Sequence, residues 1–326
     1  MKLNQIDFSK VLNDDQVYHC IMANYDKLGN DWLAHQWNWL NMVYAAFKDH
    51  YKYMIIISLV EKTLQFYDQM KIVYSYDEYY SKPYVQIEQF SISEICEKIN
   101  LPKETVRRKV IELENLGVLK RQKKKILIDR SAFNLIKPEN QLKITSKYIH
   151  QISQIFNKEK TYSKKLEIGF VENTLKKNFS LTWRWFYRMQ IPMAIGYHEI
   201  FGDLTTFHIW GTCCMNQAYN YKKNINKYNI LTLSSDYATY NKNFVSGDKN
   251  TDGVSAMSIS EMTGIPRATV VRKCKDLVEK KYLKLNEKKH YFLSGLNIEK
   301  VVPYQKQIFK NKAKFLRKIL NLLLIS

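Results

Sequence analysis

Residues 91–128 read SISEICEKINLPKETVRRKVIELENLGVLKRQKKKILI, and residues 255–292 read SAMSISEMTGIPRATVVRKCKDLVEKKYLKLNEKKHYF. The two stretches align without a gap, from Ser91 on Ser255 to Ile128 on Phe292. Identities fall at Ser91/Ser255, Glu97/Glu261, Pro102/Pro266, Thr105/Thr269, Val106/Val270, Arg108/Arg272, Lys109/Lys273, Leu113/Leu277, Leu119/Leu283, Lys120/Lys284, Lys124/Lys288 and Lys125/Lys289. Apolar character is kept at Ile95/Ile259, Leu101/Ile265 and Val118/Tyr282. The step from one copy to the next is about half of the 326 residues, which points to duplication of the whole chain rather than of one motif.

Each copy reads as helix, turn, helix and two-stranded hairpin. In the first, Ile92, Ile95, Cys96 and Ile99 have helical spacing. Asn100 tolerates the left-handed geometry that ends a helix. Pro102 suits the first turn of the next helix, where its missing N–H costs nothing. Val106, Val110 and Leu113 form that helix's inward stripe, and Gly117 supplies its stop. Val118–Lys120 and Ile126–Ile128 are strand-like around a basic turn at residues 122–124. The second copy repeats the pattern with Ile259 and Met262, then Pro266, then Val270, Cys274 and Leu277, then Leu283 and Tyr291-Phe292. It departs at Lys281, where the glycine stop is absent.

In these residues, above all "LPKETVRRKVIELENLGVL" and "IPRATVVRKCKDLVEKKYL", the chain resembles the winged helix-turn-helix domains of bacterial regulators of the GntR, MarR and IclR kinds. The resemblance covers about forty residues per copy and none of the remainder. It implies a mainly α fold with two winged helix-turn-helix modules embedded in helical regions, and double-stranded DNA as the partner. A recognition helix presents its outer face to base edges in the major groove. With Val106 inward, steps of about 100° per residue put Glu104, Arg108 and Ile111 outward, flanked by Thr105 and Arg107. Arg108 is the expected base reader, its fork suited to guanine O6 and N7. Arg272 is its counterpart, flanked by Ala268 and Val271, with Lys275 on the same face. Lys103, Lys109, Arg267 and Lys273 lie nearer the inner edge and are expected on phosphates, as are Thr105 and Thr269 near the helix N-terminus. Lys123, Lys124, Lys125, Lys288 and Lys289 of the wings suit phosphates or the minor groove.

Charge agrees with this placement. The chain carries 51 Lys+Arg against 31 Asp+Glu, a net +20. Residues 103–125 and 267–289 each hold nine basic and three acidic side chains, so more than half of that excess sits on these two short segments. Lysine, asparagine, isoleucine and tyrosine have AT-rich codons, so genome bias alone inflates lysine. Arginine is the better witness. Of only nine arginines, Arg107, Arg108, Arg121, Arg267 and Arg272 lie in the two repeated segments; the rest are Arg130, Arg184, Arg188 and Arg317. Glu112 and Asp276 stand four residues after Arg108 and Arg272, so ion pairing on the helix surface competes with base reading as their role.

Weaker echoes surround the repeat: Trp37-Asn-Trp39-Leu40 with Trp183-Arg-Trp185-Phe186, Phe47-Lys-Asp49 with Phe201-Gly-Asp203, and Gln154-Ile155-Phe156 with Gln307-Ile308-Phe309. The expected layout of each half is a helical, aromatic-rich region (13–68 and 179–222), a loop (69–89 and 223–252), the repeated segment, and a closing helix (139–158 and 299–324). Pro192 is expected to kink or break the helix that contains it. The expected domains are 1–160, with a winged helix at 90–130, and 161–326, with the second at 254–294 and a C-terminal helix.

Other features point away from chemistry. Composition is globular, with 45% hydrophobic residues, ten Gly and six Pro. The longest apolar run, Tyr53–Val60, is too short to cross a bilayer, and the N-terminal residues lack a secretory core. Five cysteines form no CxxC, and no His/Cys spacing suits zinc. Nucleophile triads, phosphate loops and dinucleotide fingerprints are absent, so no enzyme, cofactor or metal is expected. Cys213-Cys214 with His208 and the tryptophans Trp32, Trp37, Trp39, Trp183, Trp185 and Trp210 read as core, and His35, His50 and His198 show no metal-ligand spacing. The amphipathic stretch Phe309–Ile325 reads as a packing helix rather than a membrane-surface one. The expectation is a cytoplasmic, nucleoid-associated transcriptional regulator acting as a covalent pseudo-dimer. A second subunit is compatible with it, and no residue pattern indicates a small-molecule effector. The alternatives are a plasmid-type replication initiator with two winged helices and a winged-helix protein-interaction scaffold.

Overall fold

The computed structural model describes residues 7–87, 91–122, 125–129, 137–228, 237, 253–294 and 298–326. The chain is mainly helical. The order is α1 (Asp14–Ala23), α2 (Tyr25–Phe47), α3 (His50–Gln69), α4 (Tyr76–Ser81), β1 (Tyr84–Ile87), α5 (Ile92–Ile99), α6 (Lys103–Asn115), β2 (Leu119–Gln122), β3 (Lys125–Asp129), α7 (Glu139–Lys158), α8 (Ile168–Lys177), α9 (Phe179–Phe201) and α10 (Leu204–Tyr228). It continues with α11 (Ala256–Thr263), α12 (Arg267–Glu279), β4 (Leu283–Leu285), β5 (Tyr291–Leu293) and α13 (Ile298–Ile325). Among the described residues no helix is long and apolar enough to cross a membrane. The chain divides into two compact units, one of Met1–Val17, Tyr51–Ile195 and Lys310–Ser326, the other of Tyr18–His50 and Gly196–Phe309. Residues 160 and 161 both lie in the first unit, and each unit contains one copy of the repeated segment.

In the first unit α7 buries Leu142, Ile149, Ile152 and Phe156, and α13 buries Leu316, Ile319, Leu320 and Leu323. This confirms the packing role expected of the C-terminal stretch. The last turns of α13 are held from outside: the Tyr162 hydroxyl donates to Leu320 O at 2.9 Å, and Lys164 Nζ donates at 2.7 Å to Leu323 O, one of the last four carbonyls, which have no partner within the helix. Asn321 holds Leu12 by a reciprocal pair of 2.9 Å hydrogen bonds, and Arg317 Nε reaches Asp14 at 2.6 Å. The stretch expected to be a loop at 69–89 contains α4, closed at its start by a Ser75/Glu78 capping box, and β1. β1 joins the expected hairpin as a third antiparallel strand in the order β1-β3-β2. Its register places Val85 opposite Ile128 and Ile87 opposite Ile126, all four buried. α9 runs through Pro192 without a break. Burial of Met189, Ile191, Met193 and Ala194 on both sides offsets the lost backbone hydrogen bond.

The second unit is aromatic. Tyr197 stacks on Phe207 with ring centroids 3.7 Å apart, and Phe201 packs against Trp210 and Tyr282. Trp37 Nε1 donates to Thr212 Oγ1 at 3.0 Å, binding α2 to α10. Cys213 and Cys214 are buried there, and burial pushes both thiols well up. His50 Nε2 and His208 Nδ1 lie 3.2 Å apart, and His208 Nε2 reaches Asn41 Oδ1 at 2.8 Å. Burial lowers both imidazoles, His50 to about 4. Trp32, Trp37 and Trp210 border a cavity of about 60 Å³. That is far below the roughly 300–1,000 Å³ of a small-molecule pocket, so these rings serve as core.

The elements recur at fixed steps. α1, α2 and α3 begin at 14, 25 and 50, and α8, α9 and α10 follow with the same mutual spacing at 168, 179 and 204. The Phe47-Lys-Asp49 echo marks equivalent turns. Lys48 (φ 52°) and Gly202 (φ 79°) are both left-handed, and each donates its N–H at 2.8 Å to the carbonyl four residues back. Trp37 and Trp183 do not keep this step, so that echo joins different turns of α2 and α9. α5 and α6, beginning at 92 and 103, recur as α11 and α12, beginning at 256 and 267, with matching ends. In the hairpins the step slips by one. Leu119 faces Ile128, whereas Leu283 faces Leu293. His290, not Lys289, therefore occupies the position of Lys125, and Lys289 sits in the turn with φ 58°.

Both second helices end in the same turn. Val118 N–H donates to Leu113 O and Gly117 N–H to Glu114 O; Tyr282 N–H donates to Leu277 O and Lys281 N–H to Val278 O, all at 2.8–3.0 Å. Gly117 has φ 73° and Lys281 has φ 60°. Lysine thus takes the left-handed position despite the missing glycine, at a cost of about 1–2 kcal/mol. Lys281→Gly should therefore stabilise the chain by about 0.5–1 kcal/mol, after the extra entropy glycine loses on folding. Gly117→Lys should destabilise it by a similar amount. Urea midpoints measure both, and an unchanged or lowered midpoint for Lys281→Gly contradicts the assignment of strain.

Candidate nucleic-acid interface

Local sequence fixes each helix pair. Ser91 Oγ accepts from Glu94 N–H at 3.5 Å, and Ser255 Oγ accepts from Ser258 N–H at 3.0 Å, starting α5 and α11. Asn100 (φ 51°) and Gly264 (φ 69°) end them in left-handed geometry. Leu101 and Ile265 then plug into the core. Pro102 and Pro266 follow in extended geometry, one residue before the helices α6 and α12 rather than inside them. Val106, Val110 and Leu113 are wholly buried, as are Val270 and Cys274 with Leu277. That burial fixes the rotation of each helix about its axis.

The opposite faces carry the expected residues. Lys103, Glu104, Arg107, Arg108 and Ile111 are exposed on α6, and Arg267, Ala268, Val271, Arg272 and Lys275 on α12. Thr105 and Thr269 are half-buried beside them. Lys109 and Lys273 are not on this surface. Lys109 Nζ holds Glu112 at 2.9 and 3.0 Å, and Lys273 holds Asp203. Lys109 thus pairs within its own helix, and Lys273 ties α12 to the residue that precedes α10. In the hairpins Lys125, Lys288 and Lys289 are exposed. Lys123 and Lys124 lie outside the described residues.

The two faces differ electrostatically although their formal charges are equal. On α6, Arg107 closes a two-pronged pair on Glu104 (2.9 and 2.7 Å), holding that carboxyl below its usual range. Arg121 pairs with Glu114 at 2.9 Å, and Lys120 with Asp129 at 3.0 Å while lying over the Tyr84 ring. Arg108 stays outermost, its side chain 65% exposed and its Nε 4.0 Å from Glu112, a carboxylate already held by Lys109 and by Lys52 at 3.0 Å. Burial raises Glu112, but those two ammonium groups outweigh it and hold the carboxyl low. On the second face Arg267, Arg272, Lys275, Lys288 and Lys289 make no ion pair among the described residues. Of the competing i+4 pairings, Arg108 with Glu112 forms at 4.0 Å and Arg272 with Asp276 does not form. Met257, Met262 and Leu285 are exposed as well; Met262, expected in the helix pattern with Ile259, points outward while Ile259 is buried.

Charges also anchor each helix pair to its support. Lys98 Nζ reaches Glu61 at 2.5 Å and Ser58 O at 3.0 Å, and Lys62 reaches Glu94 at 2.7 Å, joining α5 to α3. In the other unit Asp203, just before α10, accepts from Lys273 and from Thr206 N–H and Oγ1. Burial raises the Asp203 carboxyl, but these donors outweigh it and hold it below the ordinary value. Comparison of the chain with protein-family models, curated proteins and solved structures finds no match.

Because the Asp203 carboxyl is lowered on folding, its stabilisation is present above the unfolded value near 4 and disappears as pH falls through the folded one. Asp203→Asn should cost about 1–2 kcal/mol at pH 7. The difference from the parent chain should close in acid. Denaturant titrations at pH 7 and below pH 3.5 check this, and a difference independent of pH contradicts it.

Proposed function

We propose that this chain is a sequence-specific double-stranded DNA-binding regulator of transcription, with α5–α6–β2–β3 and α11–α12–β4–β5 acting as two winged-helix modules in one pseudo-dimeric chain. The observation that supports it most is the pair of outward faces centred on Arg108 and Arg272. Each face is exposed along one side of a helix whose other side is locked into the core. Arg272 has no carboxylate partner among the described residues, and Arg108 meets Glu112 only at 4.0 Å, so each guanidinium keeps its fork for a guanine edge. Val271 and Ile111 on the same faces suit a thymine methyl. The two faces read different half-sites, because Glu104 and Arg107 neutralise each other in one while Ala268 and Val271 replace them in the other.

Selection of bound sequences from random duplex DNA at two salt concentrations tests this reading. The expected result is one enriched sequence with two unlike half-sites, bound less tightly as salt rises. A strictly symmetric site contradicts the unlike half-sites, and salt-insensitive or absent binding contradicts the DNA reading altogether. Arg108→Ala and Arg272→Ala should each cost about 1–3 kcal/mol of binding and relax preference at one base pair. Lys288→Gln with Lys289→Gln should weaken all sequences alike and lower the salt slope by about two.

A further inference from the structure

Three of the four arginines outside the repeated segments, Arg184, Arg188 and Arg317, line one crevice in the first unit. Its volume is about 800 Å³, within the roughly 300–1,000 Å³ of small-molecule pockets. Arg184 is spoken for, being buried between Glu61 and Asp68, and Arg317 holds Asp14. Arg188, Lys314 and Lys318 are different: none makes an ion pair with a carboxylate among the described residues. Arg188 and Lys314 are exposed, and Lys318 is half-buried with its Nζ 5.5 Å from the centre of the Trp185 ring. Beside them Met189, Ile191, Ile195 and Phe315 form an apolar wall.

We propose that this crevice binds a small organic phosphate of nucleotide size, its phosphates on Arg188, Lys314 and Lys318 and its organic part against the apolar wall and Trp185. The carboxylates that line the crevice, Asp14, Glu61 and Glu94, are held by Arg317, Lys98 and Lys62, so Arg188, Lys314 and Lys318 are in excess and call for an anion with more than one negative charge; guanidinium forks match phosphate oxygens in pairs. The concave shape suits a compact ligand better than a duplex backbone. Burial, then repulsion from Arg188, Arg317 and Arg184, already lowers the Lys318 ammonium, a tension that a bound anion relieves. Glu94 and Lys98 of α5 border the crevice, so occupancy acts beside the first helix pair. That last link alone rests on the DNA reading.

Calorimetric titration of the full chain with adenosine triphosphate, inorganic pyrophosphate and adenosine tests the site directly. Saturable binding of the two phosphates and none of adenosine is expected. The combined variant Arg188→Gln, Lys314→Gln, Lys318→Gln should lower phosphate affinity by about tenfold or more. Arg188→Glu alone should do so too, and its exposed, unpaired side chain keeps folding out of the result. Arg108→Ala with Arg272→Ala should leave it unchanged, which separates this site from the DNA-facing helices. Absence of saturable phosphate binding up to about 1 mM overturns the proposal. So does equal affinity in the crevice variants, equal loss in the Arg108/Arg272 variant, or an equal loss of duplex DNA binding when the crevice is altered.

Discussion

The rest of the candidate interface depends on one constraint: the buried stripe Val106–Val110–Leu113 and its counterpart Val270–Cys274–Leu277. A helix can turn about its own axis, and at about 100° per residue a rotation of one position moves every side chain to a new face. Burial of three apolar side chains on one line removes that freedom, at about 1.5–3 kcal/mol for each side chain of valine or leucine size. Once the stripe is fixed, Arg108 and Arg272 have nowhere to point but outward. The left-handed residues on either side of the helix hold its ends in the same way, by fixing where the chain enters and leaves.

Formal charge and available charge are different quantities here. Both repeated segments carry the same excess of cations. In the first, Arg107, Lys109, Lys120 and Arg121 are each closed onto a carboxylate; in the second Lys273 is so held, whereas Arg267, Arg272, Lys275, Lys288 and Lys289 make no ion pair among the described residues. Sequence counting adds charges regardless of partner, whereas a polyanion meets only those left open. The same distinction separates Arg184, a buried structural cation, from Arg188 one helical turn away, which faces the crevice.

Local signals made the helix pairs legible. The boundaries of α5 and α6 follow from the Asn100 turn, the proline start, the Gly117 stop and apolar periodicity, each acting within a few residues. What escaped was set by distant partners. β1 is a four-residue strand whose partner β3 lies well beyond both helices of the first pair, and nothing in YVQI alone asks for it. The one-residue slip between the two hairpins was hidden by the Lys124/Lys288 and Lys125/Lys289 identities, because lysines matched in sequence carry no strand register. Pro192 was read by its local rule as a kink or a break, and the helix continues through it without a break.

The sequence by itself determined that two like helix pairs exist, where their helices begin and end, and which side of each second helix lies inward. Those properties come from periodicity and caps, which are interactions between near neighbours. Tertiary structure alone decided which cations remain open, since Asp203 and Lys52 meet Lys273 and Glu112 from far along the chain. It also decided that Arg188 shares one crevice with Lys314 and Lys318, which come from the far end of the chain. Charge acts through space, so its consequences could be read only after the chain had folded.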